Sequence, residues 1–446
     1  MTVSEMIRAC GGRWQGSQAL VKKTPVNIVT DSRQAGEGSL FLALRGERTD
    51  GHKYIRDVLS QGALAVLCEE PGEDGEPRIV VPEVLPAMRQ IARANREKCC
   101  FPFIGVTGSV GKTTAKEMIA SALSAARRTF KTPGSMNGQI GMPVALMGLE
   151  PVYDVAVIEM GISLFGEMTR LTQVVEPDMA VFTNIGDAHL EALHSREGVL
   201  KAKSEILLGM KDNAVVFANG DDALLKTADF GRRTVLFGLG ESCHVRAEDV
   251  RTEDGTELLC RIVGEGRDFP VRVPAYGDYM IYSVLAAAAV AMELGLTDEE
   301  IAQGLLSYKT VGHRSRVVRT PFCTLIDDCY NANPTSNRAA IDSMMRLSGR
   351  KVCVLGDMRE MGENSRALHR EIGRYAAEKG VELLLTQGDE AAFIAEGAGA
   401  IARHFPDRPS LLAALPELLR PGDVVLVKAS HGPRFEDVAE RIENLR

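Results

Sequence analysis

The sequence predicts an α/β protein of three domains, and three observations carry that reading. Its 446 residues amount to three domains at about 150 residues each. From Phe101 onward short β-rich runs alternate with amphipathic helices, the pattern of βαβ units on a parallel sheet. A composition of 45% apolar and 25% charged residues belongs to a globular chain and excludes a disordered or fibrous one.

Residues 1–100 hold short apolar runs at 26–29, 39–44, 63–67 and 78–81, separated by Gly, Asp and Pro, with helices expected near 52–61 and 86–97. This is a small N-terminal α/β domain. In the central domain, 101–312, the strand candidates share a feature. The run 103–107 ends at a Gly-rich turn, 155–158 at Glu159, 179–183 at Asn184 and 214–218 at Asn219. Ligands of open α/β sheets sit outside the carboxyl ends of the strands, so these polar residues are candidates for one shared site. A helix is expected at 115–126. The segment 238–274 alternates polar and apolar residues and reads as antiparallel strands or a hairpin, followed by an alanine-rich helix at 282–294 and a second at 298–307. Gly312-His313-Arg314 reads as a hinge. Beyond it the C-terminal domain, 313–446, alternates again in Rossmann-like fashion, with strands at 323–326, 351–355, 381–385 and 424–428.

Lys plus Arg total 52 against 60 Asp plus Glu, a net charge of −8. That balance argues against nucleic acid as a partner. The most apolar stretch, 284–296, is too short for a bilayer and contains Glu293, so no membrane insertion is expected. Residues 1–12 lack the apolar run of a signal peptide. Nine cysteines occur with no CxxC pair and no metal-ligand spacing, which is the usage of reduced thiols in the cytoplasm.

Gly108-Ser109-Val110-Gly111-Lys112-Thr113-Thr114 lies between a strand candidate and a helix whose apolar face holds Met118, Ile119, Ala122 and Leu123. Strand, glycine turn and helix are the context a phosphate loop needs. Backbone N–H groups point at phosphate oxygens and the helix N-terminus adds positive charge. Lys112 is placed to neutralise the β- and γ-phosphates and the Thr113 hydroxyl to ligate Mg²⁺. Strict Walker A spacing wants glycine where Val106 stands. The elements of a GTPase are not found at suitable strand ends, and the strand after the loop ends in Glu159 in place of a Walker B aspartate.

Over nearly its whole length the chain resembles the Mur ligase family. The resemblance is carried by Thr30-Asp31-Ser32-Arg33, 40–46 with Gly46, and Asp50-Gly51-His52 in the first domain. In the central domain it is carried by the variant phosphate loop, Asn137, Ile140-Gly141-Met142-Pro143, Glu159-Met160-Gly161, Ala188-His189-Leu190-Glu191 and 201–206. In the last domain Asp327-Asp328-Cys329-Tyr330-Asn331-Ala332-Asn333-Pro334 and Leu355-Gly356-Asp357-Met358 are the most diagnostic runs. The Asn-Ala-Asn-Pro run points to the branch that adds D-alanyl-D-alanine.

The resemblance implies an ATP-dependent amide ligase with Mg²⁺. It takes UDP-N-acetylmuramoyl-tripeptide and D-alanyl-D-alanine as small-molecule substrates, and a monomer is expected. A peptide carboxylate takes the γ-phosphoryl group, and the dipeptide amine attacks the acyl phosphate. Two anions must approach, so positive charge has to be concentrated. By resemblance Lys112 and Arg314 supply it, Arg316 being a competitor for Arg314, while Thr113, Glu159, His189 and Lys203 hold metal. Lys203, with Lys201 as its rival, would be carbamylated by CO₂, which requires burial or a nearby cation to depress its pKa. Asp328 would bind the ribose, and Tyr330, Asn331 and Asn333 the dipeptide. Asn137 would contact substrate, and Ser32, Arg33 and Gly46 the uridine diphosphate sugar. The family's adenine-contacting Gly-x-His-Asn-x-x-Asn reads here Gly277-Asp278-Tyr279-Met280-Ile281-Tyr282-Ser283, leaving Tyr279 and Ser283 as the nucleotide contacts. Lys428-Ala429-Ser430-His431-Gly432 has Ala where the family has glycine, and Gly138 replaces a second Asn. Alternatives are a sibling ligase with another amine substrate and a nucleotide-binding homologue with impaired catalysis.

Overall fold

The computed structural model describes residues 1–46, 49–430, 432 and 434–446. His431 of the C-terminal run therefore lies outside the described residues. Among those described, the strands form three sheets. The first contains β1 (Arg13–Gln15), β2 (Ile28–Val29), β3 (Leu40–Leu42), β4 (Ala65–Cys68) and β5 (Arg78–Val80), in the order β1-β5-β4-β3-β2. Only β1 runs antiparallel to its neighbour.

The second sheet contains β6 (Phe103–Thr107), β7 (Thr129–Lys131), β8 (Val155–Glu159), β9 (Met179–Phe182) and β10 (Val215–Asn219). It continues through β11 (Arg233–Gly238), β12 (Val245–Glu253), β13 (Glu257–Gly264) and β14 (Arg267–Val273). The order is β14-β13-β12-β11-β10-β9-β6-β8-β7. From β7 to β12 all pairs are parallel, and β12, β13 and β14 close the sheet as an antiparallel ribbon, as the alternation at 238–274 predicts. β6 lies between β8 and β9, so the chain departs to opposite sides of it. That is the switch point at which a crevice opens beyond the strand ends.

The third sheet contains β15 (Arg316–Arg319), β16 (Cys323–Asp328), β17 (Lys351–Leu355), β18 (Leu383–Gln387), β19 (Ala402–Phe405) and β20 (Asp423–Lys428), in the order β15-β16-β20-β17-β18-β19. Every pair but β15–β16 is parallel.

Three element boundaries differ from expectation for identifiable reasons. The helix expected at 86–97 is Val84–Arg96, because Pro86 falls in the first turn, where its missing N–H costs nothing. The one expected at 115–126 is Lys112–Ser124, since the apolar periodicity starts later than the helix itself. The stretch 52–61 divides into a 3₁₀ turn, Gly51–Tyr54, and a short helix, Ile55–Ser60.

The alanine-rich helix Ile281–Glu293 is buried along most of its length and packs with Lys112–Ser124 over one face of the central sheet. Its small side chains let the helix that begins at the phosphate loop lie close, and burial of each larger apolar neighbour contributes about 1.5–3 kcal/mol. The N-terminal unit is tied to the central one by buried Asn95, whose amide donates to the carbonyls of Leu146 and Leu149 at 2.8 and 2.7 Å. Tyr276, just after β14, is buried in the core of the third sheet beside Ile326 and Ile341. Among the described residues no helix is long and apolar enough to cross a membrane.

Candidate functional site

The glycine turn after β6 is shaped by two positions. Gly108 has φ 146°, and a Cβ there would sit 2.0 Å from Thr183 Oγ1; Gly111 has φ 79° and open space around it. Only glycine takes both without strain. The loop is braced from behind by β9. Asn184 accepts from the Ser109 and Val110 N–H groups at 3.0 and 2.9 Å, and Thr183 Oγ1 donates to the Val110 carbonyl at 2.6 Å. The helix starts at Lys112 with no side-chain cap, so its first-turn N–H groups are left for an anion. Lys112 Nζ folds back on the carbonyls of Gly108 and Ser109 at 2.8 and 3.2 Å. Loss of water pulls its ammonium below the ordinary lysine value, Glu159 opposing and Arg314 adding to the shift.

Glu159, at the end of β8, is buried. Its Oε1 accepts from Thr113 Oγ1 at 2.9 Å and Asn137 Nδ2 at 2.7 Å. Its Oε2 is enclosed and has no hydrogen bond among the described residues, the nearest cation being Lys116 Nζ at 3.7 Å. Lys116 is fully buried and donates to the carbonyls of Thr132 and Gly134 at 2.8 and 2.7 Å, which ties the Asn137 loop to the phosphate helix. The sequence offered no sign of this residue, since one charged position inside a helix carries no pattern.

Lys203 is fully buried and its Nζ has no partner among the described residues, whereas Lys201 is exposed. Burial first, and Lys112 second, drive the Lys203 ammonium well below the ordinary lysine value. Burial and a nearby cation, either of which would serve to depress the lysine, thus act here together. His189 caps the short helix Leu190–Leu193 with φ 54°, and its Nδ1 lies 2.7 Å from Oε2 of Glu360, on the loop after β17. His189, with Arg359 and Lys112 nearby, holds the Glu360 carboxyl below its ordinary value. Glu360 was not singled out in the sequence, because its partner belongs to a different sheet.

The hinge sends the two arginines to different places. His313 Nδ1 is 2.7 Å from buried Asp327 Oδ2, and Arg316 pairs with Asp327 and Glu443 at 3.2 and 2.7 Å. Arg314 instead faces the crevice, its guanidinium 3.4 Å from the Tyr330 ring centroid. At the end of β16, Asp328 accepts from the Ser315 N–H at 3.0 Å and from Lys428 Nζ at 2.5 Å. The Tyr330 hydroxyl donates to Ser135 Oγ of the central unit. Asn331 is turned onto its own loop, its Oδ1 accepting from the Ala332 N–H at 2.9 Å. Asn333 caps the helix Pro334–Met345 by accepting from the Ser336 N–H at 2.8 Å. In the altered nucleotide stretch the Tyr279 hydroxyl is hydrogen-bonded to Ser315 Oγ at 2.6 Å, and Asp278 is spent on Arg346 and Thr252.

One cavity of about 480 Å³ gathers most of these groups. Ser109, Val110, Gly111, Lys112, Thr113, Thr114, Asn137, Glu159, Tyr279, Ser283, Arg314, Asp328, Tyr330, Asn331 and Asn333 all line it, with Asn184 and Asn219 at the strand ends where the sequence placed them. Gly108, His189 and Lys203 are not in its lining. Ser32, Arg33 and Gly46 lie apart in the N-terminal unit. There Asp31 caps the turn Ser32–Gln34 and pairs with exposed Arg33 at 2.7 Å, and the Gly46 N–H donates to the Thr49 carbonyl at 2.9 Å.

Comparison with known proteins bears on each unit in turn. Residues 26–96 match the Mur ligase family catalytic domain, 106–291 the Mur ligase middle domain and 313–431 the Mur ligase glutamate ligase domain. The chain is 34% identical to UDP-N-acetylmuramoyl-tripeptide–D-alanyl-D-alanine ligase of Bacillus subtilis, covering 98% of this chain and 96% of that one. It is 33% identical to the ligase of the same name from Escherichia coli, over 99% and 98%. Among solved structures it superposes on MurF from Acinetobacter baumannii with TM-score 0.90 at 30% identity, covering 99% and 98%. The MurF ligase from Thermotoga maritima in complex with ADP gives 0.84 at 31%, over 96% and 98%. Phosphate loop, hinge arginine and Asn-rich turn meet in one crevice, and matches of this identity run through all three sheets: the chain belongs to the Mur ligase family.

Proposed function

We propose that this chain is an ATP-dependent amide ligase that joins D-alanyl-D-alanine to UDP-N-acetylmuramoyl-tripeptide through an acyl phosphate, acting as a cytoplasmic monomer in peptidoglycan precursor synthesis. The observation that carries the proposal is the single cavity in which the phosphate loop, Glu159, Arg314 and the Tyr330–Asn333 turn meet. We assign 1–100 to the UDP-sugar, with Ser32, Arg33 and Gly46 as contacts, 101–312 to ATP, and 313–446 to the incoming dipeptide.

The donor set suits Mg²⁺. Thr113 and Glu159 offer hard oxygen ligands, and Glu159 Oε2 is buried without a hydrogen bond among the described residues. His189 and Lys203, the latter as a carbamate, would hold a second ion. When bound, the ions supply positive charge to the phosphoryl oxygens.

The chain's own residues do the rest. The first turn of Lys112–Ser124 receives the phosphates, Lys112 leaves its loop carbonyls for the γ-phosphate, and Arg314 adds a second cation from the hinge. The substrate carboxylate attacks the γ-phosphorus, releasing ADP and forming the acyl phosphate. Asp328 holds the ribose, while Tyr330, Asn331 and Asn333 orient the dipeptide so that its amine attacks the acyl carbon and inorganic phosphate leaves. Closure of the C-terminal unit excludes water from the acyl phosphate.

Mass spectrometry of a mixture of UDP-tripeptide, ATP and D-alanyl-D-alanine tests the proposal. The UDP-pentapeptide is expected only with all three components present. ADP release that ignores the dipeptide, or an amide product with a different amine, would count against it.

A further inference from the structure

We infer that Glu360 is a positioning residue for His189, carried on the C-terminal sheet so that the His189 metal position is completed only when that unit is docked on the central one. The inference rests on the ligase reading above and extends it to a residue with no role there.

The two side chains meet at 2.7 Å across two units of the fold. Both stand on left-handed backbone, His189 with φ 54° and Glu360 with φ 62°. For residues with a Cβ that conformation is disfavoured, and non-glycine residues held in it cluster at functional sites. Two residues further on, Gly362 has φ 60° and does use glycine. A glycine at 360 would relieve the same strain, so it is the carboxylate that the position keeps. Stability does not account for it, because Glu360 is 57% exposed and an ion pair so placed contributes little. Docking is local and specific: a Cβ on Gly362 would lie 3.8 Å from the Glu191 backbone, just after His189.

A carboxylate against one imidazole nitrogen fixes the ring and leaves the other nitrogen as the donor to a metal. Loss of such a partner typically weakens metal binding ten- to a hundredfold. His189 Nδ1 faces Glu360, which leaves Nε2 for the ion. Since Glu360 follows β17 and His189 follows β9, this arrangement makes metal affinity depend on how the two units sit.

The test uses the full chain with ADP in bicarbonate buffer and Mn²⁺ as probe, free Mn²⁺ being read by electron paramagnetic resonance. His189→Ala identifies the His189-dependent ion. Glu360→Ala and Glu360→Gly are each expected to weaken that ion about tenfold or more while ADP affinity holds. In the His189→Ala background, Glu360→Ala is expected to add nothing. Glu360→Gly, which takes φ 62° without strain, is expected to melt above Glu360→Ala and serves if the alanine variant folds poorly. Unchanged Mn²⁺ affinity in both variants, or an equal loss in the His189→Ala background, would overturn the inference. So would a wild-type chain without a His189-dependent ion, and the product assay would then decide the ligase reading separately.

Discussion

Lys203, enclosed with no hydrogen-bond partner for its Nζ among the described residues, shows how much one side chain settles. Its ammonium is held well below the ordinary lysine value in the fold and returns to that value on unfolding. Between the depressed folded value and the ordinary one the unfolded chain binds the extra proton, so the cost of enclosing the ammonium fades and native stability grows as pH rises toward about 10. In CO₂-free buffer, Lys203→Met is expected to raise Tm at pH 7 by a few degrees, about 2–4 °C for each kcal/mol, and the gain should shrink by pH 10. An equal offset at both pH values would refute the depressed lysine value. Added short carboxylates should restore activity to Lys203→Ala if a carbamate is the working form. Lys112→Ala is expected to cost at least about a hundredfold in kcat, read as ADP release. The sequence made Lys112 legible because seven consecutive residues carry one device. It did not separate Lys201 from Lys203, since two positions apart on a helix the side chains point to opposite sides and only packing tells which is inward.

At the scale of elements, the alternation of strands and helices was readable and the ends were not. The helix at the phosphate loop starts at Lys112, yet its apolar stripe begins at Ala115, because the first turn is kept for an anion and not for the core. Short or edge strands such as β1, β7 and β19 have too few residues to show a period. Gly108→Ala should harm both stability and the KM for ATP more than Gly111→Ala. The first meets Thr183 Oγ1 at 2.0 Å, while the second costs only its left-handed backbone, about 1 kcal/mol. Paired melting curves and KM values decide the order. Asn333 has two roles that one substitution cannot part. Asn333→Ala should lose about 1 kcal/mol of capping, whereas Asn333→Asp keeps the cap. If Asn333 also orients the dipeptide, the aspartate variant will show an unchanged Tm and a raised dipeptide KM.

For the whole molecule, the meeting of the sheets was the part hidden from sequence. Tyr330 reaches Ser135 and His189 reaches Glu360 across units that no local pattern connects. Tyr330→Phe is expected to raise the KM for the dipeptide while the KM for ATP stays near its starting value, because the phosphate loop is braced by Thr183, Asn184 and Gly186 of the segment after β9, which the Tyr330 hydroxyl does not touch. Steady-state kinetics with each substrate varied in turn would show it. Tyr276 adds a mechanical consequence. With its ring seated in the core of the third sheet, a residue that follows directly on the central sheet becomes part of the other unit's interior, so the two units are joined by packing as well as by the chain. Should the C-terminal unit rock as the closure proposed above requires, displacement is expected to be smallest beside this joint, where Arg319 donates to the Asp254 carbonyl, and largest at β19, the far edge of the sheet, which distances between spin labels at the two places would measure.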